Sequence, residues 1–270
     1  MTLFFMNKII YTEQQMNTLN NRQQKEVEIV NNLHFITIKD LANTLNVSEM
    51  TARRDCAQLA NQGLIKQVYG GITSNIPGKT PNYIVDSEIK KNTIIKEKIA
   101  AKAISLLAKD EVFFLDSGTT AAAIAKLLPR DSSYTIITPS FLAIELLVKL
   151  DQSSIICPGG IYLNKPRVFY NQESANLLRQ YRASKCFIGA TGFDINQGIT
   201  CGYFEDVPLK QAMLDCSQER ILIIDSSKFD KVSTCVFTNL TTFSAIITDE
   251  GIPQAYRDFI TSNGIKLYIA

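Results

Sequence analysis

Ile38-Lys-Asp-Leu-Ala-Asn-Thr-Leu-Asn-Val47, running on into Ser48-Glu-Met-Thr-Ala-Arg-Arg-Asp-Cys-Ala-Gln-Leu-Ala-Asn-Gln-Gly63, decides how the N-terminal part of this chain folds. The first half predicts a short helix with Leu41, Ala42 and Leu45 on one face, and Asn46-Val47 predicts a turn. Ser48 then caps a second helix, because its hydroxyl can accept from the free backbone N–H groups of the first turn. Glu49 follows at the positive end of the helix dipole, and Gly63 is a C-terminal stop. Ala52, Cys56 and Leu59 recur at i, i+4 and i+7 and form the core stripe. Arg54 therefore points nearly opposite the core, with Met50 and Asn61 on the same side and Arg53 on its flank. Arginine on an exposed helix face grips a guanine edge bidentately or holds phosphate, and an outward methionine suits a thymine methyl. An Arg-Arg pair alone is equally what a solvated helix carries. The next stretch, Leu64-Ile-Lys-Gln-Val-Tyr-Gly-Gly-Ile72, weighs against that reading: it predicts a strand, a glycine turn and a return strand, a wing with Lys66 in reach of a phosphate.

Outward from this core, residues 21–73 form a predicted winged helix-turn-helix, 74–86 a linker carrying Pro77, Gly78 and Pro81, and 87–270 a larger second domain. Residues 21–76 hold six Lys and Arg against five Asp and Glu, and the whole chain is only +2. A uniformly basic coat is excluded, so DNA binding must come from the arrangement of charge. No span approaches the roughly 18 apolar residues of a membrane helix. The apolar Met1–Met6 lacks the basic flank and small-residue cleavage site of a signal peptide. The six cysteines are widely spaced with no Cys-x-x-Cys pair, which predicts reduced, buried thiols and a cytoplasmic protein. His34 is the single histidine, which leaves little for a zinc site or a Ser-His-Asp triad; no metal and no cofactor is expected.

In the second domain the apolar runs are Val112–Leu115, Thr135–Ile137, Ser154–Ile156, Cys186–Ile188, Arg220–Ile224 and Ala245–Ile247. Several are continuous rather than alternating, as in strands buried on both faces. Helical patterns over Thr120–Leu128, Phe141–Leu150 and Val207–Cys216 lie between them, which predicts an α/β domain with a mainly parallel sheet. Ligands of such sheets bind beyond the carboxyl ends of the strands. There the sequence places Asp116-Ser-Gly-Thr-Thr120, Thr138-Pro-Ser140, Pro158-Gly-Gly160, Gly189-Ala-Thr-Gly-Phe-Asp194, Asp225-Ser-Ser-Lys-Phe229 and Thr248-Asp-Glu250. The first is the sharpest: a glycine and hydroxyls opening a helix form a phosphate cradle, although a plain turn and cap would also use them. Asp116, Ser117, Gly118, Thr119, Thr120, Ser140, Asp194, Lys210 and Lys228 are the candidate ligand-binding residues; either lysine alone is also what a solvated surface carries.

Val47-Ser-Glu-Met-Thr-Ala-Arg-Arg-Asp55, Gly63 and Tyr69-Gly-Gly71 resemble the DNA-binding signature of the DeoR family of bacterial sugar-metabolism regulators. Ala52 and Cys56 stand where the family has a larger aliphatic residue and leucine. The resemblance assigns Thr51, Arg53 and Arg54 to the operator-reading helix, so the DNA-binding candidates are Ser48, Met50, Thr51, Arg53, Arg54 and Lys66. Ile95-Lys-Glu-Lys-Ile-Ala100, Leu115–Thr120, Gly159-Gly160, Gly189-Ala190, Lys210 and Asp225–Phe229 resemble the family's sensor domain, so the likeness spans about residues 20–270. It implies a fold similar to ribose-5-phosphate isomerase and a phosphorylated sugar as effector. Pro139 replaces the usual asparagine before Ser140, and Tyr170 stands near a usual glycine, both of which would reshape the pocket.

The expectation is a repressor of a carbohydrate operon, not an enzyme, acting as a homodimer or homotetramer on double-stranded operator DNA and answering to a small sugar phosphate, with no membrane partner. The alternative is a sugar-phosphate isomerase with an accessory domain, for which Asp116, Asp194 and Lys228 are the available acid-base groups. A third reading is a regulator whose second domain only oligomerises.

Overall fold

The computed structural model of the protein describes residues 3–6, 9–12, 19–33, 35–68, 71–74 and 85–270. The chain divides into two compact units, Met1–Thr80 and Pro81–Ala270. In the first, β1 (Leu3–Met6) and β2 (Ile9–Thr12) pair antiparallel, where the sequence predicts no element. Then come α1 (Asn21–Leu33), β3 (Phe35–Ile36), α2 (Ile38–Leu45), α3 (Glu49–Asn61), β4 (Ile65–Val68) and β5 (Gly71–Ser74). The last two strands and β3 form a sheet in the order β3-β5-β4.

Caps set the helix boundaries here. Thr37 Oγ1 accepts from Asp40 N at 3.0 Å to begin α2, and Asn46 ends it at φ 54°, a conformation asparagine tolerates better than most residues. Ser48 Oγ accepts from Thr51 N at 3.2 Å to begin α3. Gly63 follows that helix at φ 70°. The predicted stripe Ala52, Cys56 and Leu59 has no exposed surface. Cys56 and Leu59 pack in one cluster with Leu41, with Val27 and Val30 of α1, and with Ile65 and Ile72 of the hairpin. The wing tip at Tyr69-Gly70, His34 and most of the predicted linker lie outside the described residues.

The second unit opens with α4 (Val85–Glu88) and α5 (Thr93–Ile104), then β6 (Val112–Leu115), α6 (Thr119–Leu127), β7 (Thr135–Ile137), α7 (Phe141–Leu147) and β8 (Ser154–Ile156). The chain continues through β9 (Ile161–Leu163), β10 (Val168–Tyr170), α8 (Ser174–Leu178), β11 (Ala183–Gly189), β12 (Gly192–Asp194), β13 (Gly198–Cys201) and α9 (Asp206–Asp215). It closes with β14 (Ser217–Ile223), β15 (Cys235–Thr238), β16 (Ala245–Thr248), α10 (Gln254–Ser262) and β17 (Lys266–Ile269).

Seven strands form one sheet in the order β17-β16-β14-β11-β6-β7-β8, and every pairing is parallel. All six apolar runs are strands of it. The seventh, β17, is a half-exposed edge, so no continuous apolar run marks it. Phe113, Leu115, Ile136, Phe187, Ile221, Ile223 and Ile247 of the sheet are buried with Ile99, Ile124 and Leu147 of the helices. Two small antiparallel sheets, β9-β10 and β12-β13-β15, are separate from it.

The chain winds outward from β6 through β7 and β8, then returns to β11 on the other side of β6 and winds outward again. The order reverses between β6 and β11, and a crevice at their carboxyl ends follows from the divergence of the connections that leave them. Among the described residues no helix is long and apolar enough to cross a membrane.

Candidate functional site

The outer face of α3 carries the predicted DNA-reading side chains. Met50 is 80% exposed, and Arg53 and Arg54 are exposed. Arg53 has an i−4 partner in Glu49, at 3.9 Å, too loose to hold it in one place. Ser48 and Thr51 join hydroxyls at 2.8 Å at the start of the helix, and Lys66 is exposed on β4. Asp55, on the opposite side, is 3% exposed and forms an ion pair with Arg22 of α1 at 2.6 Å. That contact fixes the rotation of α3 about its axis. It joins residues far apart in sequence, which is why the local pattern does not show it.

A pocket lies at the switch point. Ser117, Gly118, Thr119 and Thr120 after β6, Gly189, Ala190 and Thr191 after β11, Cys201 and Gly202 after β13, Asp206 and Lys210 of α9, and Ile223 and Lys228 at and after the end of β14 line it. Gly118 holds φ 99°, ψ 173° at the N-cap of α6, and among the described residues no N-cap side chain bonds to that helix. Only glycine adopts this conformation readily. The free N–H groups of the first turn and the helix dipole therefore face the pocket and favour an anion.

The charges around the pocket are sorted. Lys210 Nζ is ion-paired with Asp116 and donates to Gly189 O at 3.0 Å, while Gly189 N donates to Asp116 Oδ2 at 2.8 Å. Burial favours loss of the Lys210 proton, but Asp116 and Asp206 outweigh it and hold the pKa above the ordinary lysine value. Burial pushes the Asp206 carboxyl up to about 7; Lys210 opposes the rise, and Asp116 and Glu205 add to it. Lys228 Nζ bonds to Glu88 Oε2 at 2.8 Å. Burial favours a neutral Glu88, yet its bonds to Lys228 and Lys91 prevail and lower its pKa to about 2.

Of the predicted ligand residues, Ser117, Gly118, Thr119, Thr120, Lys210 and Lys228 come together. Asp116 sits beneath them and is occupied by Lys210 and Gly189. Ser140 and Asp194 are not among the lining residues. Ser140 Oγ caps α7 by accepting from Ala143 N at 3.2 Å. Asp194 Oδ1 accepts from Asn196 N and Gln197 N at 2.8 and 2.9 Å and closes the β12-β13 turn. Pro139 and Tyr170 also lie outside the lining: Pro139 O accepts from Phe169 N, and the Tyr170 backbone packs against Gly160. Cys201, Gly202, Asp206 and Ile223 line the pocket without having been singled out in the sequence; Asp206 is the charged one, and its spacing of one helical turn from Lys210 was available as a signal.

Comparison with known proteins follows the same division. Residues 22–77 match the DeoR-like helix-turn-helix domain, and residues 91–250 match the DeoR C-terminal sensor domain. An L-fucose operon activator of Haemophilus influenzae is 31% identical over 249 residues, covering 92% of this chain and 98% of that one. A transcriptional repressor, AccR, of Agrobacterium fabrum is 29% identical over 258 residues, covering 92% and 99%. A solved ribose 5-phosphate isomerase of Methanocaldococcus jannaschii overlaps 52% of this chain and 55% of its own at 19% identity, with a TM-score of 0.39. The chain belongs to the DeoR family of helix-turn-helix transcriptional regulators.

Proposed function

We propose that the protein is a cytoplasmic repressor that reads operator DNA with the outer face of Glu49–Asn61 and releases it when a phosphorylated sugar binds the second unit. The observation that carries the effector class is the glycine-led Ser117–Thr120 turn at the sheet's switch point, with Lys228 lining the same pocket. Backbone N–H groups, Thr119, Thr120 and Lys228 meet the phosphate; Asp116 and Lys210 hold the floor of the site. Arg53, Arg54 and Met50 reach base edges, Lys66 reaches phosphate, and Ser48 and Thr51 shape the start of the reading helix. Relatives of both signs exist, an activator and a repressor; repression relieved by ligand is the reading we adopt. One reading helix covers only a few base pairs, so a homodimer or homotetramer held by the larger unit completes the operator contact.

The test is a thermal-shift screen of the full chain against sugar phosphates, followed by operator binding with each hit. A ligand of the folded state raises the melting temperature by mass action, and the same compound must weaken operator binding. A panel that moves neither quantity refutes the effector class, and a monomer with full operator affinity by light scattering refutes the assembly.

The second reading, a sugar-phosphate isomerase, is favoured by one observation: Asp206 lines the pocket with a carboxyl near neutral pKa, as a general base would. Against it, Lys210, one helical turn from Asp206, is locked by Asp116 and by Gly189 O and is not free to polarise a carbonyl. Turnover of a pentose phosphate by the purified protein would establish this reading instead.

A further inference from the structure

Lys228 lines the pocket, yet its ammonium is held by Glu88, and the two side chains keep only 14% and 10% exposure. Glu88 ends α4, the helix that directly follows the chain between the wing and the sensor. The segment it belongs to is fastened in two further places. Lys96 Nζ donates to Glu88 O at 2.6 Å and to Lys91 O at 2.7 Å. Asn92 Nδ2 donates to Asp225 Oδ1 at 3.0 Å. Asp225 and Lys228 bracket one turn after β14. That turn therefore forms a wall of the pocket and also holds residues 85–92, through which the chain runs back toward its DNA-binding part.

We propose that Glu88 is a positioning residue that couples the pocket to this segment: a phosphate in the Ser117–Thr120 cradle competes with the Glu88 carboxylate for Lys228, and its binding frees residues 85–92 from the Asp225–Lys228 turn. This rests on the phosphate-cradle reading above. A phosphate near neutral pH carries more charge and more acceptor oxygens than a carboxylate, and charge-assisted bonds of this kind are strong. Glu88 keeps Lys91 as a partner at 2.7 Å, so its release does not strand a bare carboxylate. A ligand shifts an equilibrium only by binding two states unequally. Here the two states differ in whether Lys228 is available to it.

The experiment is hydrogen exchange on the full chain with inorganic phosphate as the probe, together with phosphate affinity from thermal shifts. In the wild type, phosphate slows exchange at residues 117–120 and speeds it at residues 85–92. Glu88→Gln exchanges rapidly at 85–92 without phosphate, shows no further rise with it, and binds phosphate roughly 5- to 150-fold more tightly, the usual span of such couplings. Asn92→Ala loosens the same segment from a residue outside the pocket lining, and by reciprocity it also tightens phosphate binding. A purely structural Glu88 would leave phosphate affinity unchanged in both variants. That result, or protection at 117–120 with no change at 85–92, overturns the coupling and leaves the pocket standing. No protection at 117–120 at any phosphate concentration overturns the pocket reading and the coupling with it.

Discussion

Lys210→Met tests whether the Lys210–Asp116 pair is a support of the pocket rather than a ligand contact. Both side chains are almost wholly buried, at 4% and 2% exposure. Removing the ammonium leaves Asp116 with the Gly189 N–H at 2.8 Å and places it beside Asp206 without the cation both carboxylates use. Breaking a buried pair from one side costs about 3–5 kcal/mol. In a unit of this size each kcal/mol lowers the melting temperature by roughly 2–4 °C, so a fall of roughly 6–20 °C is expected. Asp116→Asn combined with Lys210→Met removes both charges and should recover most of the loss. The single variant should also be worse at high pH. Without Lys210, the Asp206 carboxyl is raised further above its unfolded value, so stability is lost as pH rises through the folded-state pKa. Thermal unfolding followed by circular dichroism at pH 6 and pH 8 reads all of this. A Lys210→Met protein that melts within a degree or two of wild type, with the same pH profile, would refute the reasoning and return Lys210 to the list of groups free for a ligand.

Arg54→Ala should weaken operator binding by about 1–3 kcal/mol if the side chain reads a base, with the melting temperature unchanged because Arg54 is exposed; unaltered affinity at moderate salt removes it from that role. Thr119→Val, which removes a cradle hydroxyl and leaves the Lys228–Glu88 pair in place, should weaken the response to a sugar phosphate and spare ligand-free operator affinity, and a normal response would put the pocket elsewhere. Glu26 is fully buried in the first unit, and among the described residues neither carboxyl oxygen has a hydrogen-bond partner. Burial, then the Asp55 carboxylate, raise its pKa from 4.5 to about 7 against the pull of Arg22. The folded value lies above the unfolded one, so wild-type stability should fall as pH rises from about 4.5 to about 7. Glu26→Gln should flatten that decline in urea titrations, and parallel profiles for the two proteins would count against it.

What was legible in the sequence is what a few neighbouring residues encode. Ser48 as a cap, the Ala52-Cys56-Leu59 stripe and the stop at Gly63 each depend on contacts within about two helical turns, and periodicity exposes them. The five inner strands and the edge strand β8 were legible as apolar runs, whereas β17, with only Lys266-Leu-Tyr-Ile269 on an exposed edge, has no such signature. The pocket was half legible. Gly118 and its hydroxyl neighbours announce themselves locally, but the state of each charge does not. Asp116 is paired with a lysine 94 positions away, and Lys228 with a glutamate 140 positions away. From sequence the two lysines look alike, each a cation near the end of a strand or on a flanking helix. Packing distinguishes them: Lys210 is locked between a carboxylate and a carbonyl, whereas Lys228 is held by a carboxylate that has a second lysine to fall back on. Of the pocket's two cations, Lys228 is therefore the one whose partner an incoming phosphate can replace at least cost, and that makes it the point where recognition of a ligand can become a change in the chain.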